Sequence, residues 1–363
     1  PSDGTELINH VQCDRGRKAL RFRVGDPDQL AREEPKLKKA LGNPLIPVPQ
    51  EEPCSYYGEG KSQSSRPGKP CLPPPPFWPY TGVTEWRTEL GSRILAAVTP
   101  TEEVSEARCG GYYLLGDQTW CNKAFDGSHG YGQVGLSFGI EERDMWGELV
   151  TQKFRLPVHL YDCYIPLERS PPMAGTSPNN SQTCLKDLRG EPKLEAICYG
   201  ANYHPHRSCL AGQDIVVESR HFVTLEEQLK GWSKLSVHLK IDVEGSEWDV
   251  LEWLISNPAE WDKVRTLDME IHFGFGSAAE LPQYKALSLQ EKLTRQVSIM
   301  EGLRKRFFCT GSTLEVYRQG WTPQDNCGVE PCGEPPVYLP NGFSVTAFAV
   351  SYVHKELVDV SLE

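Results

Sequence analysis

Between Val237 and Leu254 the apolar residues change their period from two to about 3.6, and that switch limits the chain to folds in which a buried strand runs straight into a helix. Val237, Leu239, Ile241 and Val243 alternate with more polar neighbours, whereas Val250, Leu251 and Leu254 take helical spacing. Gly245 at the joint permits a sharp turn, and Ser246 with Asp249 three residues on reads as a capping box for the new helix. Asp242 and Glu244 then stand at the carboxyl end of a strand, where open α/β sheets bind their ligands. An ordinary solvated acidic turn has the same composition, so function depends on what the rest of the chain brings to these carboxylates.

Upstream, residues 1–84 read as a proline-rich, largely irregular extension. Charged runs at 15–23 and 32–39 give way to Leu72-Pro73-Pro74-Pro75-Pro76-Phe77-Trp78-Pro79, a segment that favours polyproline II and suits a stem or a packed arm. Trp86, Leu90, Ile94, Leu95 and Val98 have helical spacing. A strand over 133–140, a helix over 144–150 and a strand over 157–163 make a βαβ unit. Further strands are expected at 194–200, at the opening stretch and at 267–273, with Thr224 capping a helix after the third of the chain's strands. Residues 281–307 are mostly helical in pattern, and 313–317 with 343–353 read as an antiparallel pair. Surface insertions are expected near 165–192 and 318–340, the latter pinned by Cys327 and Cys332.

Composition removes some functions. With 38 basic and 49 acidic residues the net charge is -11, a field that opposes polyanions, so nucleic acid is not the expected partner. Twelve cysteines without a CxxC pair suit disulfides in an oxidising compartment better than a zinc ribbon. Asn179-Asn180-Ser181 is a glycosylation sequon in a Pro/Ser-rich stretch. The expected location is the secretory pathway, in the Golgi lumen or beyond the cell. No apolar run is long enough to span a membrane, and the chain opens on Pro1 without a signal peptide, so a targeting segment or membrane anchor is expected outside this stretch.

The motif from Lys240 to Leu251, KIDVEGSEWDVL, resembles the signature of FkbM-type S-adenosylmethionine-dependent methyltransferases. MEIHF at 269–273 resembles that family's next strand, and SFG at 137–139 the end of its first. In outline the resemblance covers about 86–353. It implies a Rossmann-like, doubly wound, seven-stranded sheet, mostly parallel with the last strand antiparallel, over residues 85–363. It also implies S-adenosylmethionine bound by Ser137 and Gly139, with Asp162 on the ribose diol and Tyr199 and Gly200 near the adenine. The segment Ile140-Glu141-Glu142-Arg143-Asp144 departs from the usual glycine-rich loop, and the absent GxGxxG counts against an NAD enzyme. Cys109 and Cys121 flank a short segment that a disulfide could close as a hairpin, and similar paired cysteines precede the catalytic domain in relatives.

Asp268, Glu270 and His272 share one face of an otherwise apolar strand, which is costly unless they are paired or bind something. In the family's topology this strand neighbours that of Asp242, so Asp242, Glu270 and His272 should meet beside the methyl donor, with Glu244 at the rim. Asp242 or His272 could then act as general base toward a hydroxyl of a glycan or other small acceptor. Alternatively, Asp242, Glu270 and His272 could hold Mg²⁺ or Mn²⁺, which would lower the acceptor's pKa. The rival readings are a secreted binding or scaffold protein that kept the fold without catalysis, and a metal-dependent hydrolase using the same three residues. The segment from Tyr203 to Cys209 offers two histidines and a cysteine for zinc, but it lacks a fourth ligand, and the cysteine serves equally as a disulfide partner.

Overall fold

The structure, a computed structural model, describes residues 11–14, 17–24, 85–100, 106–115, 118–126, 132–140, 144–170, 173, 182–185, 197–200, 203–273, 277–318, 337–338 and 343–358. The proline run at 72–79, the sequon and the pair Cys327 and Cys332 lie outside the described residues.

A ten-stranded mixed sheet forms the centre. In chain order its strands are β1 (Val11–Asp14), β2 (Arg17–Val24), β3 (Val134–Phe138), β4 (Val158–Tyr161), β5 (Tyr203–His206), β6 (Val237–Ile241), β7 (Val264–His272), β8 (Phe307–Arg318), β9 (Val337–Tyr338) and β10 (Phe343–His354). Across the sheet they run β1-β2-β8-β10-β7-β6-β3-β4-β5, with β9 on β10. The strands β5, β4, β3, β6 and β7 are mutually parallel. Their order reverses between β3 and β6, which is the arrangement of doubly wound sheets. Beyond β7, β10 lies antiparallel between β7 and β8, and the hairpin of β1 and β2 joins the outer edge of β8. Part of the N-terminal segment thus belongs to the sheet.

Five helices matter for the site: α1 (Glu85–Val98), α2 (Met145–Lys153), α3 (Leu225–Leu229), α4 (Glu247–Ser256) and α5 (Leu289–Leu303). Leu90 and Ile94 of α1, Leu251 and Leu254 of α4 and Val297 and Met300 of α5 share one core with Leu136, Leu239, Ile241, Met269 and Ile271 of the sheet. On the opposite face Trp146 and Val150 of α2 pack with Trp120, Val158 and Leu160. Covered on both faces, β3 and β6 are buried along their whole length, as central strands of a parallel sheet are, with His238 and Lys240 of β6 buried among the apolar residues.

The third strand of the sheet differs from expectation. Ile197–Gly200 is a strand, but it pairs with Gln182–Leu185 in a separate two-stranded sheet, and Tyr203–His206 takes the place beside β4. Pro205 argues against a central strand, yet β5 ends the strand order, and on an edge the missing N–H removes no ladder bond. The capping box expected at Ser246 is absent as well. Glu244 and Gly245 both take positive φ (50° and 98°), and Ser246 is already helical, so its side chain makes no cap bond. Its hydroxyl bonds Ser277 instead, while Asp249 accepts from Arg295 Nη2 at 2.8 Å and from the Leu281 N–H at 3.1 Å. Capping does occur at Thr224 for α3 and, as a full box with Glu291, at Ser288 for α5.

Two disulfides fall among the described residues. Cys109–Cys121 closes the hairpin of Tyr112–Leu115 and Gln118–Cys121, as expected, and Cys163–Cys209 ties the segments that follow β4 and β5. Both fit an oxidising compartment. No described helix is long and apolar enough to cross a membrane.

Arg265 of β7 secures the hairpin segment to the sheet. Its side chain is fully buried and donates to the carbonyls of Ala124, Lys123 (3.3 Å), Leu235 (3.2 Å) and Asp126 (3.2 Å). Burial pulls its pKa down to about 10, which still leaves it charged at neutral pH. Arg265→Met would strand those acceptors in the interior, and we expect it to lower unfolding free energy by about 3–5 kcal/mol, read from the denaturant midpoint. A loss below ~1 kcal/mol would show that the carbonyls find water instead.

Candidate functional site

A cavity of about 340 Å³ opens at the carboxyl ends of β3, β4 and β6 and is lined by Gly139, Asp162, Asp242, Glu244, Tyr164, Ile165, Leu210 and Phe222 among others. It lies where the strand order reverses, the position at which parallel sheets leave a crevice between diverging connections. Gly139 closes the floor: its φ is +74°, its N–H donates to Tyr161 O at 2.9 Å, and the Asp242 N–H donates to Phe138 O at 3.0 Å. The end of β3 and the turn after β6 are therefore in direct backbone contact. Asp162 stands at the wall with its carboxylate held by the N–H groups of Tyr164 (2.8 Å), Ile165 (3.0 Å) and Ile140 (3.2 Å).

Other expected cofactor contacts lie elsewhere. Ser137 is wholly buried beneath the floor, where its hydroxyl neighbours the buried carboxyl of Asp144. Tyr199 and Gly200 belong to the separate two-stranded sheet and not to the strand beside β4.

Beneath Asp242 a cation was missed by sequence reasoning. Lys240, only 8% exposed, donates to the carbonyls of Phe138 (3.3 Å) and Gly139 and pairs with Asp242 Oδ2 at 3.4 Å. Burial alone would lower its pKa, but Asp242, Asp144 and Glu270 outweigh it and raise it. The signal was present in the sequence as a basic residue at an inward strand position two before Asp242.

At the end of β7 the chain brings together more than the three expected residues. His272 Nε2 faces Glu244 at 3.5 Å and Glu270 at 3.7 Å, while Nδ1 faces Glu247 Oε1 at 3.2 Å. Glu247, 0% exposed, also accepts from the His272 backbone N–H at 2.7 Å and from the Gly245 N–H at 2.8 Å. Trp248 completes the clamp by donating Nε1 to His272 O at 2.8 Å. The Glu247-Trp248 pair of the motif thus grips both backbone groups of His272. Burial would push the imidazole down, but its bond to Glu247 and the charges of Glu247, Glu244 and Glu270 raise it to about 10.

Asp268 shares the strand face but not the site. It accepts from Trp146 Nε1 at 2.9 Å under α2, where burial lifts its pKa to about 7. Among the described residues, Asp242, Glu244 and His272 present ligand atoms within 4.8 Å of one another, so Glu244 takes the place expected of Glu270.

Comparison with family models, with curated proteins and with solved structures finds no match. The class of protein therefore has to be argued from the fold and the cavity themselves.

Proposed function

We propose that the chain is an S-adenosylmethionine-dependent O-methyltransferase of the FkbM type, acting on a hydroxyl of a glycan or other small acceptor in the secretory pathway. The observation that carries this reading is the cavity at the sheet's reversal point, lined by the carboxylates of Asp162 and Asp242 together with the largely apolar Leu210, Phe222, Ile165 and Tyr164. The strand order, with one antiparallel strand inserted after five parallel ones, is compatible with the seven-stranded sheet that the motif resemblance implies.

The residues fit the cofactor in kind. The apolar wall suits a purine, Asp162 suits a ribose diol, and the carboxylates suit a sulfonium and an ammonium group. When bound, the cofactor supplies an electrophilic methyl group. Asp242, its rotamer braced by Lys240, would take the acceptor's proton. His272, holding its own proton between carboxylates, would donate a hydrogen bond rather than accept a proton, so we assign the base to Asp242 and an orienting role to His272. The negative field that retains this proton would also hold Mg²⁺ or Mn²⁺ through Asp242 and Glu244, with release of the proton from His272.

Calorimetry with S-adenosylmethionine and its demethylated product tests the donor. Both should bind, and Asp162→Ala should weaken binding on the order of tenfold. Unchanged affinity in that variant would remove Asp162 from the site, and no binding of either form by a folded chain would favour a non-catalytic scaffold. A methyl-transfer screen over glycans, with and without EDTA, tests acceptor and metal together. In it Asp242→Asn should keep cofactor binding while losing about 10²–10⁴ in turnover.

A further inference from the structure

Three histidines at the opposite edge of the parallel strands have no part in the cavity. His159 on β4 and His204 on β5 are direct register partners, and His206 lies two residues further along the same face. The His159 and His206 rings are 5.1 Å apart with Nδ1 and Nε2 at 2.8 Å, and the His204 ring stands 5.0 Å from that of His159. All three are partly buried. Among the described residues no carboxylate pairs with any of them, and neither ring nitrogen of His204 has a hydrogen-bond partner.

We propose that His159, His204 and His206 form a binding site for a divalent transition cation, Zn²⁺ or Cu²⁺, at the edge of the sheet. Imidazole nitrogens suit these ions, and a set of three imidazoles with no oxygen ligand among the described residues does not suit hard cations such as Mg²⁺ and Ca²⁺. Metal binding needs neutral rings. For two of the rings burial first, and the neighbouring imidazoles second, favour that state, lowering His206 and bringing His159 to about 4.

The geometry needs one side-chain movement, because as placed the three histidines do not each bring a nitrogen within 4.8 Å of the others. Two imidazoles on a tetrahedral ion at ~2.0–2.1 Å place their nitrogens about 3.3 Å apart, so the pair at 2.8 Å must open by about half an ångström. The ring that now donates changes tautomer, carrying its hydrogen on its other nitrogen, and the ion takes the place the shared hydrogen held. His204 then turns its side chain to bring in the third nitrogen, leaving an outward position for water or an external ligand. The scaffold is braced: Tyr161 stacks on His206 at 4.7 Å and donates to Gln228 at 2.7 Å, and Cys163–Cys209 ties the two strands' ends. Pro205 between the two histidines sits in extended edge-strand backbone, in which residues 204 and 206 share one face. The third ligand comes from a strand 45 residues earlier, too far away for the segment 203–209 to reveal it.

Zn²⁺ titration by calorimetry tests the site, with Asp242→Asn as the parent chain so that the acidic cluster does not contribute. One site is expected, weakened on the order of 100-fold by His159→Gln or His206→Gln and about tenfold by His204→Gln. His221→Gln, which alters an exposed histidine paired with Asp214, should leave affinity unchanged. Cu²⁺ electron paramagnetic resonance on the unaltered chain gives a readout independent of any variant and should show nitrogen hyperfine coupling from at least two imidazoles. The proposal is overturned if Zn²⁺ does not bind below about 100 μM, if binding survives His159→Gln combined with His206→Gln, or if Cu²⁺ shows no nitrogen coupling.

Discussion

Glu247→Ala should destabilise the folded chain by about 3–5 kcal/mol, the range for removing one member of a buried, hydrogen-bonded pair. Glu247 is fully buried, and its two oxygens serve three donors: the His272 N–H, the His272 ring and the Gly245 N–H. Without it the turn after β6 loses its tie to the end of β7, and an imidazolium is left without its closest counter-charge. Chemical unfolding followed by tryptophan fluorescence reports the loss, because Trp248 grips the same residue. The pH dependence carries the same signature. A histidine raised from 6.5 to about 10 stabilises the fold fully below pH 6.5, and that contribution disappears as pH rises toward 10. The unaltered chain should therefore lose stability between pH 7 and 10, and Glu247→Gln should flatten that slope. A slope equally steep in the variant would show that Glu247 is not what holds the proton.

Gly139→Ala should be nearly as damaging, for a steric reason. An added Cβ would lie 1.6 Å from the Asp242 carbonyl oxygen, a backbone atom that no rotamer change can move, in a residue whose φ is already +74°. The end of β3 and the turn after β6 would have to separate, and we expect a loss of at least ~3 kcal/mol together with loss of cofactor binding. Gly231→Ala is the matched control. Its φ is +84° but nothing lies within 4 Å of the added carbon, so only backbone strain of about 1 kcal/mol should appear. Equal thermal shifts in the two variants would mean that the contact at Gly139 is looser than described.

Much of the frame was legible because period and turn chemistry are local. The change of period at Gly245 located β6 and α4, and the βαβ pattern over 133–163 located β3, α2 and β4. What escaped depended on distant partners. Nothing in the motif distinguishes Glu244, whose side chain is 68% exposed, from Glu247, which is sealed from solvent. Only the return of β7, some 25 residues later, decides which acid is enclosed. Lys240 was passed over for the same reason, since its acceptors belong to β3. Ser246 has the right spacing for a cap, but two consecutive left-handed residues before it start the helix one position early. The third strand was misplaced because a short apolar run pairs with any edge, whereas Pro205 is tolerated where the sheet stops.

The bridge between Cys163 and Cys209 spans 46 positions; Cys209 lines the cavity, and Cys163 lies between the lining residues Asp162 and Tyr164. Residues 164–208 are therefore a covalently closed ring. A protease cut within it would yield two pieces that migrate together until a reductant is added, and the wall could keep its shape through the cut. Tyr164 and Ile165 within the ring line the cavity and Tyr203–His206 is strand β5, so a tag or label that is to touch neither belongs in the part of the ring between them.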